Sequence, residues 1–197
     1  MKARGLLIAG ALLVAVSGVL LGNCVWMAAK ARLAEVLISE AFAAHLADGQ
    51  AHPPWSWADL SPTAELRCER LGVKRHVLTG GSGSSMAFGL GHLDGTAPPN
   101  GEGNCVLVGH RDGACAFLED LRLGDRLTLR TRGDERTFVV TDQIVVSERN
   151  RKIIEPSSRS LLTLITCYPF GGLRTTPWRY VVVCERDPRD RRTSQAG

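Results

Sequence analysis

The chain has 197 residues, 22% of them charged, and a formal net charge of +4. This length leaves room for one domain with a proper hydrophobic core after an N-terminal segment. The basic residues are scattered, without a stripe interleaved with aromatic side chains, so we expect no nucleic-acid partner. The six cysteines include no CxxC pair, so neither a zinc ribbon nor a thioredoxin-like site is supported. We expect no metal and no other cofactor.

The N-terminus has the features of a membrane anchor. Lys2 and Arg4 precede an apolar run over residues 5–21, which continues less cleanly to Ala29. A spanning helix needs about 20 apolar residues, so we expect residues 1–29 to be an uncleaved, single-pass anchor in the cytoplasmic membrane. The following domain should lie on the extracytoplasmic, periplasmic side, although charges on both flanks indicate orientation only weakly. An A-x-A-like site ending at Ala31 leaves cleavage open.

Residues 30–62 should connect the anchor to the folded domain. Their first part continues a segment rich in Ala, Leu and Glu, with apolar residues near helical spacing, which predicts a helix over residues 28–46. The stretch DGQAHPPWSWADLS at residues 48–61 contains prolines and tryptophans and is typical of a linker. We therefore expect a helical stalk, with the alternative that this helix packs on the domain, followed by a Pro/Trp linker.

Short β-branched runs separated by Gly-rich turns fill residues 63–186, which is typical of a β-sandwich or barrel. The glycine- and serine-rich stretch at residues 80–85 predicts a turn; no lysine follows and no helix is expected there, so a phosphate-binding loop is excluded. The runs at residues 127–130 and 137–141 flank a turn and should pair as a hairpin. The polar tail at residues 187–197 should be disordered.

Three of these runs carry chemically useful side chains at strand ends. The run from Cys105 ends at His110, the run at residues 161–166 ends at Cys167, and Arg179 stands at the entrance of the last strand. A thiolate is a nucleophile that a nearby cation stabilises, and histidine is the usual proton shuttle. If the last two strands are neighbours, the thiol and the guanidinium meet at one edge of the sheet.

The remaining histidines and cysteines are weaker candidates. His92 is a second candidate for the proton shuttle, but its turn neighbours favour a hydrogen-bonded loop histidine. Cys105, Cys115 and Cys184 are expected to be buried thiols that act as small apolar residues. A disulfide among them stays open if the domain is exported. Cys24 is not expected to be lipidated, because Asn23 stands where a lipoprotein signal needs a small residue.

Three segments resemble the signature segments of sortases, the cysteine transpeptidases that attach surface proteins: LVGHRD at 107–112, TLITC at 163–167 and PWRYVV at 177–182. The resemblance covers residues 55–186, and the run at 89–129 is most similar to the proteobacterial variety. It implies an all-β fold, a closed eight-stranded barrel with short helices, preceded by the N-terminal transmembrane and stalk helix. The stretch after GHRD departs from the expected pattern, because Cys115 and its small neighbours replace bulkier, more polar residues.

The resemblance also implies a reaction. Cys167 would attack a backbone carbonyl of an LPxTG-like C-terminal sorting signal after the threonine and form a thioester, while His110 exchanges protons with the departing and incoming amines. Arg179 would steady the substrate or the oxyanion. Substrate-binding or supporting roles are expected for Thr166, His92 and Asp112. The expected partners are a protein that carries the sorting signal and an unidentified amine acceptor.

Other functions fit less well. A papain-like protease needs a histidine downstream of its cysteine, and none follows Cys167. An L,D-transpeptidase places its cysteine in an SHGC-type motif, which differs from the TCY sequence here. Glu148 and Glu155 carry no metal-ligand spacing. The remaining alternative is a non-catalytic, membrane-anchored β domain that binds a partner protein.

Overall fold

The computed structural model describes residues 2–172, 174 and 176–190. Residues up to Val36 form one compact unit, and residues from Leu37 onward form another. Helix α1, Lys2–Asp48, begins in the first unit and ends in the second, without a break at the predicted boundary between anchor and stalk. Its stretch Gly10–Asp48 has the length and composition to cross a membrane. The large apolar side chains between Leu12 and Met27 are exposed, as a lipid-facing helix requires.

The second unit contains the predicted closed barrel of eight strands, which the structure confirms in the described part of the chain. The strands are β1 (Pro62–Cys68), β2 (Val73–Leu78), β3 (Leu90–His92), β4 (Asn104–Val108), β5 (Arg126–Thr131), β6 (Asp134–Ser147), β7 (Leu161–Cys167) and β8 (Trp178–Arg186). They follow one another around the barrel as β1-β2-β3-β4-β7-β8-β6-β5. The predicted hairpin is β5–β6. Closure satisfies the backbone groups that an open sheet leaves at its edges.

One parallel pair determines where the site forms. β4 and β7 are parallel, with Val108 opposite Ile165, so their C-terminal ends lie at the same end of the barrel. Parallel neighbours need a long crossover, which the β5–β6 hairpin and its flanking loops supply. β8 then pairs antiparallel with β7 and begins at that same end.

The barrel interior holds the main hydrophobic core, built by the period of two along each strand. Leu107, Leu162 and Leu164 are fully buried there, together with Val182 and Cys184 of β8. Each fully buried leucine of this kind contributes about 1.5–3 kcal/mol through removal of its apolar surface from water. The residues between them point to the outer face of the barrel, and that face carries the candidate site.

The end of α1 belongs to the barrel unit. Ile38 is 2% exposed and packs with Leu60 and Leu78. Phe42 makes an edge-to-face contact with the His76 ring, with the ring centroids 5.3 Å apart. The end of this helix therefore packs on the domain, which is the alternative to a free stalk, and the compact unit extends to residues before the predicted barrel start at 63.

Two further predictions need correction. Helix α2, Gly83–Phe88, follows the turn after which no helix was expected, and the buried Ser85 hydroxyl donates to the Thr79 carbonyl at 2.6 Å. The predicted disordered tail at residues 187–197 starts too early. Asp187 is 3% exposed and its amide donates to the Thr137 carbonyl at 2.8 Å. The rest of that predicted tail, residues 191–197, lies outside the described residues.

Candidate active site

The predicted nucleophile and the predicted cation lie directly opposite each other. Cys167, the last residue of β7, pairs with Arg179, the second residue of β8. The Tyr168 amide donates to the Trp178 carbonyl at 3.1 Å, so the neighbouring Cys167–Arg179 pair takes the non-hydrogen-bonded position of the antiparallel ladder. Such pairs have Cα atoms about 4.5 Å apart, with side chains close together. The register thus places Cys167 and Arg179 at directly neighbouring backbone positions.

His110 extends the same row on the other side of Cys167. His110 lies two positions after Val108, and Cys167 lies two positions after Ile165, the residue paired with Val108. Two hydrogen bonds hold this register beyond the ladder. The Gly109 amide donates to the Ile165 carbonyl at 3.3 Å, and the Thr166 hydroxyl donates to the Gly109 carbonyl at 2.8 Å. The positions of His110, Cys167 and Arg179 therefore follow one another across the adjacent ends of β4, β7 and β8.

All three side chains face outward. Leu107, Leu164 and Val182 point into the barrel interior, and side chains along a strand alternate between its two faces. His110, Cys167 and Arg179 lie an odd number of positions from these residues and therefore point outward. His110 is exposed and Cys167 is partly exposed. The imidazole and the thiol are thus open to a substrate that approaches the outside of the barrel.

A second buried apolar cluster lies next to this row, on the outer side of the sheet. Ile165 and Val181 stand two residues from Cys167 and Arg179 on the same strands, and both are buried. The cluster around them consists of Val106, Ile165 and Val181, with Leu93, Val108, Ile144, Val146, Ile153, Ile154 and Val183 packed against it. Ile153 and Ile154 of this cluster belong to the 3₁₀ turn Arg151–Ile154, between β6 and β7. The cluster is therefore a second, covered part of the core, formed in part by the strands that carry Cys167 and Arg179.

The sequence analysis missed the residue that binds the guanidinium of Arg179. The Arg179 side chain is 26% exposed, and its Nη2 donates to Glu148 Oε2 at 2.7 Å. Its Nη1 donates to the carbonyls of Thr176 and Trp178, both at 2.9 Å. Glu148 directly follows β6, whose end lies beside β8. In the sequence Glu148 stands out only as a weak metal-ligand candidate together with Glu155. Its contact with Arg179, 31 residues away, depends on the pairing of β6 with β8.

The other predicted site residues take three different positions. Thr166 is 3% exposed and links the ends of β4 and β7. Asp112 lies in the loop after His110, and its carboxylate is 3.4 Å from Arg111 Nε. His92 instead points toward the loop before β4, where its Nε2 donates to the Ala97 carbonyl at 2.8 Å. His92 also lines a cavity of about 360 Å³ at that loop, toward the start of β4 rather than its end.

The cysteines of the barrel unit differ in how deeply their thiols are buried. Burial raises the pKa of both Cys105 and Cys115 to about 12, so these thiols stay protonated at neutral pH. Burial also raises the pKa of Cys184 far above its ordinary value. All the cysteines are free, and Cys167 is the partly exposed thiol among those of the barrel unit. An electrophile that reaches the barrel should therefore react at Cys167.

Comparisons with known proteins agree on one family. A family model described as the sortase domain matches residues 66–187. Sortase D of Bacillus subtilis (strain 168) is 28% identical over 122 residues, which make up 61% of this chain and 62% of that protein. The match thus spans less than two thirds of this curated relative.

Solved structures show the same fold. A Clostridium perfringens sortase D5 transpeptidase superposes with a TM-score of 0.66 at 18% identity, covering 79% of this chain and 99% of that one. Sortase A from Corynebacterium diphtheriae superposes with a TM-score of 0.59 at 26% identity, covering 68% of this chain and 66% of that one.

Proposed function

The chain belongs to the sortase family, and from that premise we propose that it is a membrane-anchored cysteine transpeptidase. The observation that carries the proposal is the row of His110, Cys167 and Arg179 at the adjacent ends of β4, β7 and β8, on the outer side of the barrel. A thiol, a proton shuttle and a fixed cation are the groups that acyl transfer needs.

In the first half-reaction, the Cys167 thiolate attacks the carbonyl carbon of the scissile peptide bond and forms a C–S bond. The oxyanion of the tetrahedral intermediate accepts a hydrogen bond from Arg179. His110, in its imidazolium form, donates a proton to the departing amine as the C–N bond breaks, leaving a thioester on Cys167. The neutral imidazole then takes a proton from an incoming amine, a new C–N bond forms, and the thiolate leaves.

The proposed substrate is a C-terminal sorting signal of the LPxTG kind on a partner protein. The family match over residues 66–187 supports this choice, because sortases act on proteins that carry a sorting signal. The length and composition of α1 support a membrane anchor, whereas its place in the cytoplasmic membrane and the barrel on the outer side stay predictions. The narrower similarity to proteobacterial sortases stays a prediction, as do the acceptor amine and the cleavage site near Ala31.

The test uses the full chain in detergent with a panel of LPxTG-like peptides, and intact mass reports the thioester. We expect an adduct whose mass equals that of the peptide fragment up to the threonine, released as an amide when hydroxylamine or glycine is added. Cys167→Ala should give no adduct. Cys24→Ser is the matched control, because it removes an exposed thiol on α1 and should leave the adduct intact. Failure of the wild type across the panel, with the fold intact and Cys167 reduced, favours a non-catalytic domain that binds a partner protein.

A further inference from the structure

Arg111, the residue directly after His110, reaches across to the loop that joins β7 to β8. Its side chain is 11% exposed, in contrast to the neighbouring Asp112, which is 71% exposed. Arg111 Nη1 donates to the Pro169 carbonyl at 2.8 Å, and Nη2 donates to the Gly172 carbonyl. Nη2 also lies 3.4 Å from the Arg174 carbonyl. One guanidinium thus binds three backbone oxygens of a single loop.

This loop begins directly after Cys167 and ends where β8 brings in Arg179. The strands fix Cys167 and Arg179 relative to each other, because the two residues are partners in the β7–β8 ladder. His110 is not held in this way, because the β4 ladder ends at Val108. Beyond Val108, the Gly109 amide still donates to the Ile165 carbonyl of β7. In the loop that follows β4, the amides of Gly113 and Cys115 donate to the His110 carbonyl, which are local bonds within that loop.

The chemistry of the contact requires an arginine. A guanidinium is charged at every relevant pH and presents five N–H donors in a rigid planar fork, so it can bind several carbonyls at once. A lysine in its place would offer one compact ammonium on a flexible stem and could not hold the same set. The loop is also shaped to receive the guanidinium. A Cβ at Gly172 would stand 3.1 Å from Arg111 Nη1 and 3.2 Å from the Pro169 carbonyl oxygen, so a side chain there would press on the contact.

We propose that Arg111 is a positioning residue that couples the His110 loop to the β7–β8 loop and so holds His110 in register with Cys167 and Arg179. The proposal rests on the transpeptidase function proposed above. Arg111 touches neither Cys167 nor Arg179 in the described contacts and acts through the backbone of Pro169 and Gly172. Loss of the coupling should disturb the proton shuttle and the orientation of substrate along the β7–β8 loop.

The experiment compares Arg111→Met, Arg111→Lys and Gly172→Ala with the wild type, all as full chains in detergent. Arg130→Met, at an exposed position on β5, is the control for loss of an arginine. Amide hydrogen exchange of residues 168–172 measures the loop without any substrate. Kinetics of thioester formation on the peptide panel give kcat and KM separately.

We expect Arg111→Met to speed exchange at residues 168–172 about tenfold and to lower kcat about 10- to 100-fold, the range caused by misplacing a catalytic group by about 1 Å. Arg111→Lys should recover little of either loss, because it restores the charge without the fork. Gly172→Ala should move both measurements in the same direction as Arg111→Met, and Arg130→Met should move neither.

Three results would overturn the proposal. Unchanged exchange in Arg111→Met would show that the guanidinium does not hold the loop. Faster exchange with an unchanged kcat would reduce Arg111 to a structural role. Full recovery by Arg111→Lys would assign the effect to charge alone. If the wild type itself forms no thioester, the proposed function fails, while the hydrogen-exchange comparison still decides whether the contact exists.

Discussion

The hydroxyl of Thr166 should matter to both stability and catalysis, because it ties the ends of β4 and β7. The side chain is 3% exposed, and its hydroxyl donates to the Gly109 carbonyl at 2.8 Å, one residue before His110. Thr166→Val keeps the shape of the side chain and replaces the hydroxyl with a methyl group. The Gly109 carbonyl, on a buried residue, then loses this partner.

The expected loss of stability follows from that unpaired acceptor. A buried acceptor without its partner costs about 1–3 kcal/mol. A domain of this size changes its Tm by about 2–4 °C for each kcal/mol, so thermal unfolding should occur several degrees lower. If the bond also holds His110 in line with Cys167, a shift of about 1 Å should reduce kcat for thioester formation by up to about 100-fold.

Thr163→Val is the matched control for this experiment. Thr163 is 2% exposed, and its hydroxyl donates to Asn104 Oδ1 at 2.7 Å across the same pair of strands, away from the site. It should lower Tm to a similar extent and leave kcat close to that of the wild type. Differential scanning calorimetry measures the stability, and quenched-flow intact mass measures the thioester. Equal losses of kcat in both variants, or a wild-type kcat in Thr166→Val, would refute the argument that this bond aligns the site.

Three further predictions concern the surroundings of the site and the barrel unit. Glu148→Gln should lower kcat/KM by no more than about fivefold, because the ion pair with Arg179 is partly exposed and such pairs contribute about 0.2–1 kcal/mol; a loss above 100-fold in peptide kinetics would contradict this. Hydrogen bonds from the Arg70 guanidinium lower the pKa of Asp125 below its ordinary value of 3.8, so the stability that this pair provides should be present at neutral pH and lost as the pH falls below about 4. Arg70→Met should therefore lower Tm at pH 7 but not near pH 2. An equal effect on Tm at both pH values would refute the pairing. Ile38→Ala should destabilise the barrel unit by about 2–5 kcal/mol in denaturant unfolding, whereas a chain that unfolds like the wild type would show that the end of α1 does not support the core.

The strands and the chemistry of the site were predictable from local patterns. The run LLTLIT at residues 161–166 is short, apolar and β-branched, so it reads as a buried strand without any knowledge of its neighbours. Cys167 and His110 each follow such a run, and Arg179 opens another. A residue at the end of a strand lies at a rim of the sheet wherever that strand is placed, which is why the three candidates could be named in advance.

Contacts between distant segments could not be predicted in this way. The pairing of Arg179 with Glu148 depends on β6 lying beside β8, and the binding of Pro169 and Gly172 by Arg111 depends on β4 lying beside β7. The charged side chains involved, Arg111, Glu148 and Arg179, lie in loops or at the start of a strand, where periodicity gives no signal. Helix α2 was missed for a related reason. Its glycines and serines favour a turn, and the tertiary hydrogen bond from Ser85 to Thr79 overrides that preference.

By itself, the sequence determined the long apolar N-terminal helix and the succession of short strands, and it named the candidate thiol, imidazole and guanidinium. These features follow from the residue types within each segment, because the period of apolar side chains fixes the local structure. Only the tertiary structure decided that β4 and β7 run parallel and that β8 returns beside β7, which brings the three groups into one row. This arrangement follows from the closure of the barrel, because each strand must pair with two neighbours and all the inward-facing side chains must pack in one interior.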